Sequence, residues 1–240
     1  MIEFLQKTYK GSKIDLINHL KETLDNETKC HIVTANPEIL MYGKREQVYG
    51  ELLLNDETII VPDGIGVVKA IEQMGMPIIE RIPGVELSES LLELANQTQL
   101  TVYFYGSKKD VLESLDRKFK EKYKNLQIVG MRDGYTQDET AVFEDIKNCR
   151  PDIIFVALGV PAQEYAIRRH LDDMEKGVFI GVGGALDVLS GSKKRAPEFF
   201  IKHNLEWFYR IFREPKRLKR FFNNNIKFYF QLKQTRSNHK

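Results

Sequence analysis

Short apolar segments alternate with longer segments of helical spacing along most of the chain. The clearest short segment is Thr-Ile-Ile-Val at 58–61, which is β-branched and apolar on both faces, as in a buried parallel strand. Pro62 ends this strand because proline has no N–H for a β-ladder. Asp63 and Gly64 then form a turn, and residues 65–74 have apolar side chains at helical spacing. The same reasoning predicts strands at 30–33, 58–61, 100–105, 126–129, 153–158 and 177–182.

The segments between these strands are amphipathic with helical periodicity. They predict helices at 14–24, 38–54, 65–74, 86–96, 109–123 and 137–148, with a further helix beginning near 162. Parallel neighbours in a sheet need a crossover connection, and a helix is the usual one. The alternation therefore predicts an α/β fold, a doubly wound and mostly parallel sheet of Rossmann-like type, over residues 1–192.

The pattern changes after Gly191, where strand-like segments stop and aromatic residues become dense. Eleven of the 25 aromatic residues fall within 199–230. Two or three helices are predicted here, roughly at 197–212 and 215–232, because Pro215 breaks the helical pattern. The C-terminal part is thus expected to be a helical appendage.

The net charge of +2 hides an uneven distribution. Residues 193–240 contain 14 Lys or Arg and three Asp or Glu, a local charge of +11, which leaves −9 on residues 1–192. A basic, aromatic helix is typical of a solvated surface helix, of a nucleic-acid-binding segment or of an amphipathic segment at an anionic membrane surface. A basic tail on an acidic body favours the membrane over nucleic acid. The cations at helical spacing are Arg210, Arg213, Arg217 and Arg220.

Composition and cysteine spacing argue against a secreted, disulfide-bonded protein and against a membrane-spanning one. The hydrophobic content of 42% and the charged content of 29% are ordinary for a globular chain. Cys30 and Cys149 have no CxxC spacing and predict buried thiols in a reducing compartment. We find no signal peptide and no apolar run of the roughly 18 residues that a membrane-spanning helix needs. We therefore expect a cytoplasmic protein with at most a peripheral position on the membrane.

Polar side chains follow several of the predicted strands. The carboxyl ends of parallel strands meet at one edge of the sheet, where ligands bind in open α/β folds. Each polar residue alone has a simpler explanation, such as a helix cap or a surface ion pair. Their recurrence at one edge favours a binding or catalytic site, with Asp63 as its carboxylate. The candidates are Thr34, Asn36, Asp63, Arg81, Gln163 and Asp187.

A glycine-rich turn follows the last predicted strand. Gly181, Gly183 and Gly184 lack the third glycine of the dinucleotide-binding GxGxxG pattern, and the turn comes last in the chain rather than first. Backbone amides at such a turn still suit a diphosphate of another kind. No GxxxxGK[ST] motif, no DxD motif and no metal-ligand spacing of histidines is present, so we predict no metal and no cofactor.

Six stretches together resemble the WecG/TagA/CpsF family of bacterial glycosyltransferases. They span most of the chain in order. Two departures are visible: Ala162 and Tyr165 stand where Lys and Trp are expected, and the N-terminal strand looks short. The stretches are TANPE at 34–38, VPDGIGVV at 61–68, RIPGVEL at 81–87, LGVPAQE at 158–164, GVGGALDVLSG at 181–191 and RAPEFFIKHNLEWFYRIFREPKR at 195–217.

The resemblance implies an inverting, metal-independent transferase that moves a sugar from a UDP-sugar to an undecaprenyl-diphosphate-linked sugar at the cytoplasmic membrane face. The chain is most similar to the branch that adds N-acetylmannosamine to GlcNAc-diphospho-undecaprenol in the wall teichoic acid linkage unit. By resemblance, Asp63 is the catalytic base, and Thr34 and Asn36 line the substrate pocket. Further implied roles are donor or acceptor contact by Arg81 and Gln163, substrate binding at the glycine-rich pocket of Gly183 and Gly184, and support of that pocket or of the uridine side by Asp187. The lipid diphosphate would be bound by Arg210, Arg213, Arg217 and Arg220.

The sequence leaves alternatives open. The donor could instead be UDP-ManNAc uronic acid, UDP-glucose or UDP-glucuronate, for capsule or enterobacterial-antigen repeat units. A non-catalytic, membrane-bound scaffold for nucleotide sugars is an alternative of another class. The exposed aromatic tail also makes a homo-oligomer plausible.

Overall fold

The computed structural model describes residues 1–135, 138–213 and 217–237, without the side chains at 210, 217, 219–221, 223–224 and 235–237. Its centre is a six-stranded sheet in the order β2-β1-β6-β5-β3-β4, and every neighbouring pair is parallel. The prediction of a doubly wound α/β fold is confirmed. The strands are β1 (Lys29–Ala35), β2 (Thr58–Pro62), β3 (Thr101–Gly106), β4 (Gln127–Arg132), β5 (Ile153–Ala157) and β6 (Gly177–Gly181).

Helices connect the strands and follow the last of them. They are α1 (Ile2–Lys7), α2 (Lys13–Asp25), α3 (Pro37–Arg45), α4 (Gln47–Leu54), α5 (Ile65–Gln73), α6 (Gly84–Thr98), α7 (Lys109–Lys122), α8 (Glu139–Cys149), α9 (Ala162–Leu171), α10 (Ala185–Leu189), α11 (Glu198–Lys202), α12 (Glu206–Arg213) and α13 (Arg217–Ser237).

Three local expectations were wrong. The single helix expected at 38–54 is two helices, because Glu46 has extended backbone angles (φ −106°, ψ 110°) between α3 and α4. The first strand is not short: β1 has seven residues, and the chain before it forms α1 and α2. Cys149 is only partly buried, whereas Cys30 is buried as expected.

Both faces of the sheet are covered. Cys30 and Ile32 of β1 face α2, α6, α7 and α10, where they pack in one core with leucines such as Leu16 and Leu91. Val33 and Ala35 face the opposite side, towards α3, α4 and α5. The alternation of side chains along a strand explains this division, and burial on both faces explains why β5 and β6 are apolar throughout.

The described part of the C-terminal segment forms the helices α11, α12 and α13, and the last of them packs against the body. Phe228 and Leu232 of α13 are buried in the same cluster as Ile39 and Leu40 of α3. The helix expected at 197–212 is interrupted between α11 and α12, where Asn204 has a left-handed backbone (φ 57°). The division into residues 1–192 and 193–240 stays a prediction. Within the described residues, no helix is both long and apolar enough to cross a membrane.

Candidate active site

The ends of β1 and β2 form the first part of the site. The two strands pair in register, with Thr34 opposite Val61 and Ala35 opposite Pro62. Just beyond this pair, the backbone N–H of Asp63 donates to the carbonyl of Ala35 at 3.0 Å. Asp63 therefore lies where both strands end, at the carboxyl edge of the sheet, as the sequence predicts.

The loop before α6 closes onto Asp63. Oδ1 of Asp63 accepts a hydrogen bond from the backbone N–H of Gly84 at 3.0 Å, and Nη1 of Arg81 lies 3.5 Å from the Asp63 carbonyl oxygen. The N–H of Ile82 donates to the carbonyl of Pro62 at 2.9 Å. These contacts fix the partly exposed carboxylate and bring Arg81 beside it.

Thr34 joins three elements at this edge. Its hydroxyl donates to the carbonyl of Gly181 at the end of β6, at 3.1 Å. The first residue of α6, Gly84, packs on the same side chain: a Cβ atom on Gly84 would lie 3.2 Å from Cγ2 of Thr34. Thr34 thus connects the Asp63 side of the site to the glycine-rich turn after β6.

Asn36 has the structural role of a helix cap. Its Oδ1 accepts hydrogen bonds from the N–H groups of Glu38 and Ile39, at 2.9 and 3.1 Å, and so caps α3. The simpler explanation considered for Asn36 is therefore confirmed. A contact with substrate stays a prediction for this residue.

Gln163 lies beneath the glycine-rich turns and not on the surface of the site. It is 2% exposed. Its Oε1 accepts from the N–H groups of Gly159 and Gly183, at 3.2 and 3.0 Å, and its Nε2 donates to Oε1 of Glu164 at 2.7 Å. The side chain joins the ends of β5 and β6, while Gly184 next to this turn is exposed.

Asp187 lies on the far side of the same edge. Its Oδ1 accepts from the hydroxyl of Ser107, which follows β3, at 3.0 Å, and its Oδ2 pairs with Nζ of Lys193 at 3.0 Å. Nearby, Arg195 pairs with Glu86 of α6 at 2.6 Å. Two ion pairs therefore join the segment before α11 to α10 and to α6.

A cavity of about 470 Å³ lies elsewhere, between α7 and the edge strand β4. It is lined by residues such as Phe119, Tyr123 and Ile128 and contains none of the candidate residues. Among the residues that the structure describes, no group of three or more His, Cys, Asp or Glu is arranged to hold a metal ion.

Comparisons with known proteins decide the family. A model of the glycosyl transferase WecG/TagA/CpsF family matches residues 4–240. The chain belongs to this family.

Three similar relatives share the name N-acetylglucosaminyldiphosphoundecaprenol N-acetyl-beta-D-mannosaminyltransferase. The protein of that name from Bacillus spizizenii is 41% identical over 205 residues, which cover 85% of this chain and 79% of the relative. The Bacillus subtilis protein is 39% identical over 219 residues, covering 91% and 80%. The Staphylococcus aureus protein is 39% identical over 211 residues, covering 86% and 82%.

The arginines that the family resemblance assigns to a lipid diphosphate lie in the last two helices, α12 and α13. Arg213 is exposed, and its guanidinium lies 6.0 Å from the ring centre of Tyr209. The side chains of Arg210, Arg217 and Arg220 lie outside the described residues. Their role stays a prediction.

Sequence reasoning did not single out several residues that the structure places beside the candidate residues. Ser107 could have been found, because it directly follows a predicted strand. Lys193 gave no signal beyond the general basic character of the tail, and Arg195 begins the stretch at 195–217 but was not singled out. Glu164 lies inside the stretch at 158–164 but was not singled out. It is fully buried, and burial raises the pKa of its carboxyl to about 7, although the hydrogen bond from Gln163 acts to lower the pKa.

Proposed function

We propose that this chain transfers N-acetylmannosamine from UDP-ManNAc to GlcNAc-diphospho-undecaprenol, with inversion at the anomeric carbon. One observation carries the proposal: relatives about 40% identical over roughly four fifths of their own length have the name of that transferase. The cluster of Thr34, Asp63 and Arg81 at the carboxyl edge of the sheet supports it, because that is where α/β enzymes bind their substrates.

Asp63 is proposed as the general base. In a single displacement, the acceptor hydroxyl gives its proton to one carboxylate while its oxygen attacks the anomeric carbon. The bond from that carbon to the UDP oxygen breaks with its electron pair, and UDP leaves from the opposite face. One carboxylate is enough for this reaction. The hydrogen bond from the backbone N–H of Gly84 to Oδ1 holds the Asp63 carboxylate in place.

The departing diphosphate gains negative charge, which cations or backbone amides must stabilise. Arg81 is proposed for this role because it lies beside Asp63. Thr34 and Asn36 are proposed to line the pocket, and Gln163, Gly183, Gly184 and Asp187 to form its donor side. Arg210, Arg213, Arg217 and Arg220 are proposed to meet the diphosphate of the lipid acceptor.

The tail is proposed to hold the enzyme on the anionic, cytoplasmic face of the plasma membrane. Large apolar side chains remain exposed along the last three helices, among them Phe199, Phe208, Phe212 and Phe230. Aromatic rings with flanking cations suit the headgroup region of a bilayer. Without a membrane, the same surface favours self-association, so a homo-oligomer is expected in solution.

The test is release of UDP from UDP-ManNAc by purified protein in detergent, with and without a short-chain GlcNAc-diphospho-lipid and with a metal chelator present. Release that depends on the acceptor supports the proposal. If this pair gives no release but UDP-glucose, UDP-glucuronate or UDP-ManNAc uronic acid does, that sugar nucleotide is the donor instead of UDP-ManNAc. Binding of UDP-sugars without turnover on any lipid acceptor would support the scaffold alternative.

A further inference from the structure

The amide of Gln163 is held in one orientation by groups on three sides. Its oxygen faces two backbone donors, the N–H groups of Gly159 and Gly183, and its nitrogen faces the carboxylate of Glu164. A rotated amide would place its NH₂ group against two N–H donors and its oxygen against a carboxylate oxygen. The observed orientation is thus the one that satisfies all three partners.

Gln163 is also tied to Gly159 through its backbone. The N–H of Gln163 donates to the carbonyl of Gly159 at 3.0 Å, while the N–H of Gly159 donates to the side-chain oxygen of Gln163. The second bond of that oxygen, to Gly183, reaches across to the turn after β6. One side chain therefore sets the distance between the turns that end β5 and β6.

Glu164 is the acceptor that fixes this amide. It is fully buried, and its Oε1 accepts a hydrogen bond from Nε2 of Gln163 at 2.7 Å. The other carboxylate oxygen, Oε2, and the hydroxyl of the fully buried Tyr49 make no hydrogen bond of ordinary geometry. A buried carboxyl is expensive, so its presence here calls for a role that an apolar residue could not fill.

The backbone of β6 is shaped to admit the pair. A Cβ atom on Gly181 would lie 2.6 Å from Nε2 of Gln163 and 3.2 Å from Oε1 of Glu164. The first distance is too short for any side chain, so glycine is required at 181 for the amide and carboxylate to reach this place. The same glycine's carbonyl accepts the hydroxyl of Thr34, which connects the pair to the Asp63 side of the site.

We propose that Glu164 is a positioning residue: it orients the amide of Gln163, which in turn holds the turns at Gly159 and Gly183 in the geometry that receives the nucleoside diphosphate of the donor. The inference rests on the proposed function. It assigns Gln163 an indirect role towards the donor, through the two turns that its buried side chain holds.

Two variants of one residue test the proposal. Glu164→Gln keeps the size of the side chain and an oxygen that accepts from Nε2 of Gln163. Glu164→Leu keeps approximately the size and removes the acceptor, so the buried NH₂ group loses its partner and the amide must move. Tyr49→Phe is the matched control, because it removes a buried hydroxyl beside Glu164 and leaves the Gln163 contact intact.

The readout is KM for the UDP-sugar, kcat, and the dissociation constant of UDP, measured on variants whose circular dichroism matches the parent. We expect Glu164→Leu to raise KM and the UDP dissociation constant about tenfold with a smaller change in kcat, and Glu164→Gln and Tyr49→Phe to stay within about twofold. If Glu164→Leu does not fold, Gly181→Ala, which pushes the amide aside, is expected to raise KM in the same way.

Unchanged UDP affinity and KM in Glu164→Leu or Gly181→Ala would overturn the inference, as would an equal loss in Glu164→Gln and Glu164→Leu. The proposed function is judged separately, by acceptor-dependent release in the parent protein. If the parent releases no UDP, the UDP dissociation constants still decide the positioning role: a weaker value in Glu164→Leu alone supports it, and equal values contradict it.

Discussion

His31 lies on β1, an interior strand of the sheet. It is fully buried with neither ring nitrogen hydrogen-bonded, and its replacement by leucine should change how the free energy of unfolding depends on pH. Burial, with a smaller contribution from the positive charge of Arg168, lowers the pKa of His31 from 6.5 to about 3. The folded protein therefore keeps this imidazole neutral, while the unfolded chain binds a proton as the pH falls below 6.5. The free energy of unfolding decreases through that range, down to about pH 3.

The size of the effect follows from the two pKa values. One pH unit in this range corresponds to about 1.4 kcal/mol, so acidification from pH 7 to 4.5 removes about 2.6 kcal/mol through His31. Glu164 acts in the opposite direction. Burial raises the pKa of this carboxyl from 4.5 to about 7, so the folded state binds its proton first, and the free energy of unfolding increases by about 2.6 kcal/mol over the same interval.

In the parent protein, the contributions of His31 and Glu164 to the pH dependence of the free energy of unfolding should therefore nearly cancel. His31→Leu leaves the contribution of Glu164 alone, and its free energy of unfolding should rise on acidification by about 2.6 kcal/mol relative to the parent. Glu164→Gln should show the reverse change of similar size. The absolute stability of either variant does not enter, because the readout is the difference between two pH values.

The assay is urea unfolding followed by circular dichroism at pH 7 and pH 4.5 for the parent and both variants. Surface carboxylates titrate alike in all three proteins, so their contribution cancels in the comparison. The same pH dependence in the parent and in His31→Leu would mean that burial does not keep His31 neutral.

Three further variants test the tail and the base. Phe228→Ala should lower the free energy of unfolding by about 3–5 kcal/mol in urea unfolding, because Phe228 is 4% exposed and packs in the core beside α3. Phe230 lies two residues away on the same helix and is 65% exposed. Phe230→Ala should leave the free energy of unfolding unchanged and weaken binding to anionic vesicles, measured by sedimentation, roughly tenfold. Equal effects of the two changes in both assays would contradict the division of α13 into a packed side and a membrane-facing side. Asp63→Asn should lower kcat by about 10²–10⁴ with an unchanged dissociation constant for UDP, and near-normal turnover would remove Asp63 as the base.

Much of the fold follows from local pattern. The strand at 58–61 and its proline, turn and helix could be predicted because each depends on neighbouring residues only. The break at Glu46 could not, since apolar spacing continues through it. The alternation of strands and helices also predicts parallel pairing, but not that β6 lies between β1 and β5.

That strand order decides how much of the site could be predicted. Asp63 and Thr34 were placed at one edge because they follow parallel strands. The bond from Thr34 to Gly181 joins residues 147 positions apart and exists only because β1 and β6 are neighbours. The burial of Gln163 between two turns has the same origin. In the tail, spacing did not separate the buried Phe228 from the exposed Phe230, because the surface that α13 packs against is formed by residues near 39.

The structure of the reaction product tests the proposed inverting transfer most directly. The purified protein is incubated with UDP-ManNAc and a short-chain GlcNAc-diphospho-lipid, and the lipid product is analysed by mass spectrometry and by NMR of its new anomeric centre. We expect one added N-acetylhexosamine for each UDP released, with an anomeric configuration opposite to that in the donor. A product that retains the donor's configuration, or UDP release without any change in the lipid, would contradict it.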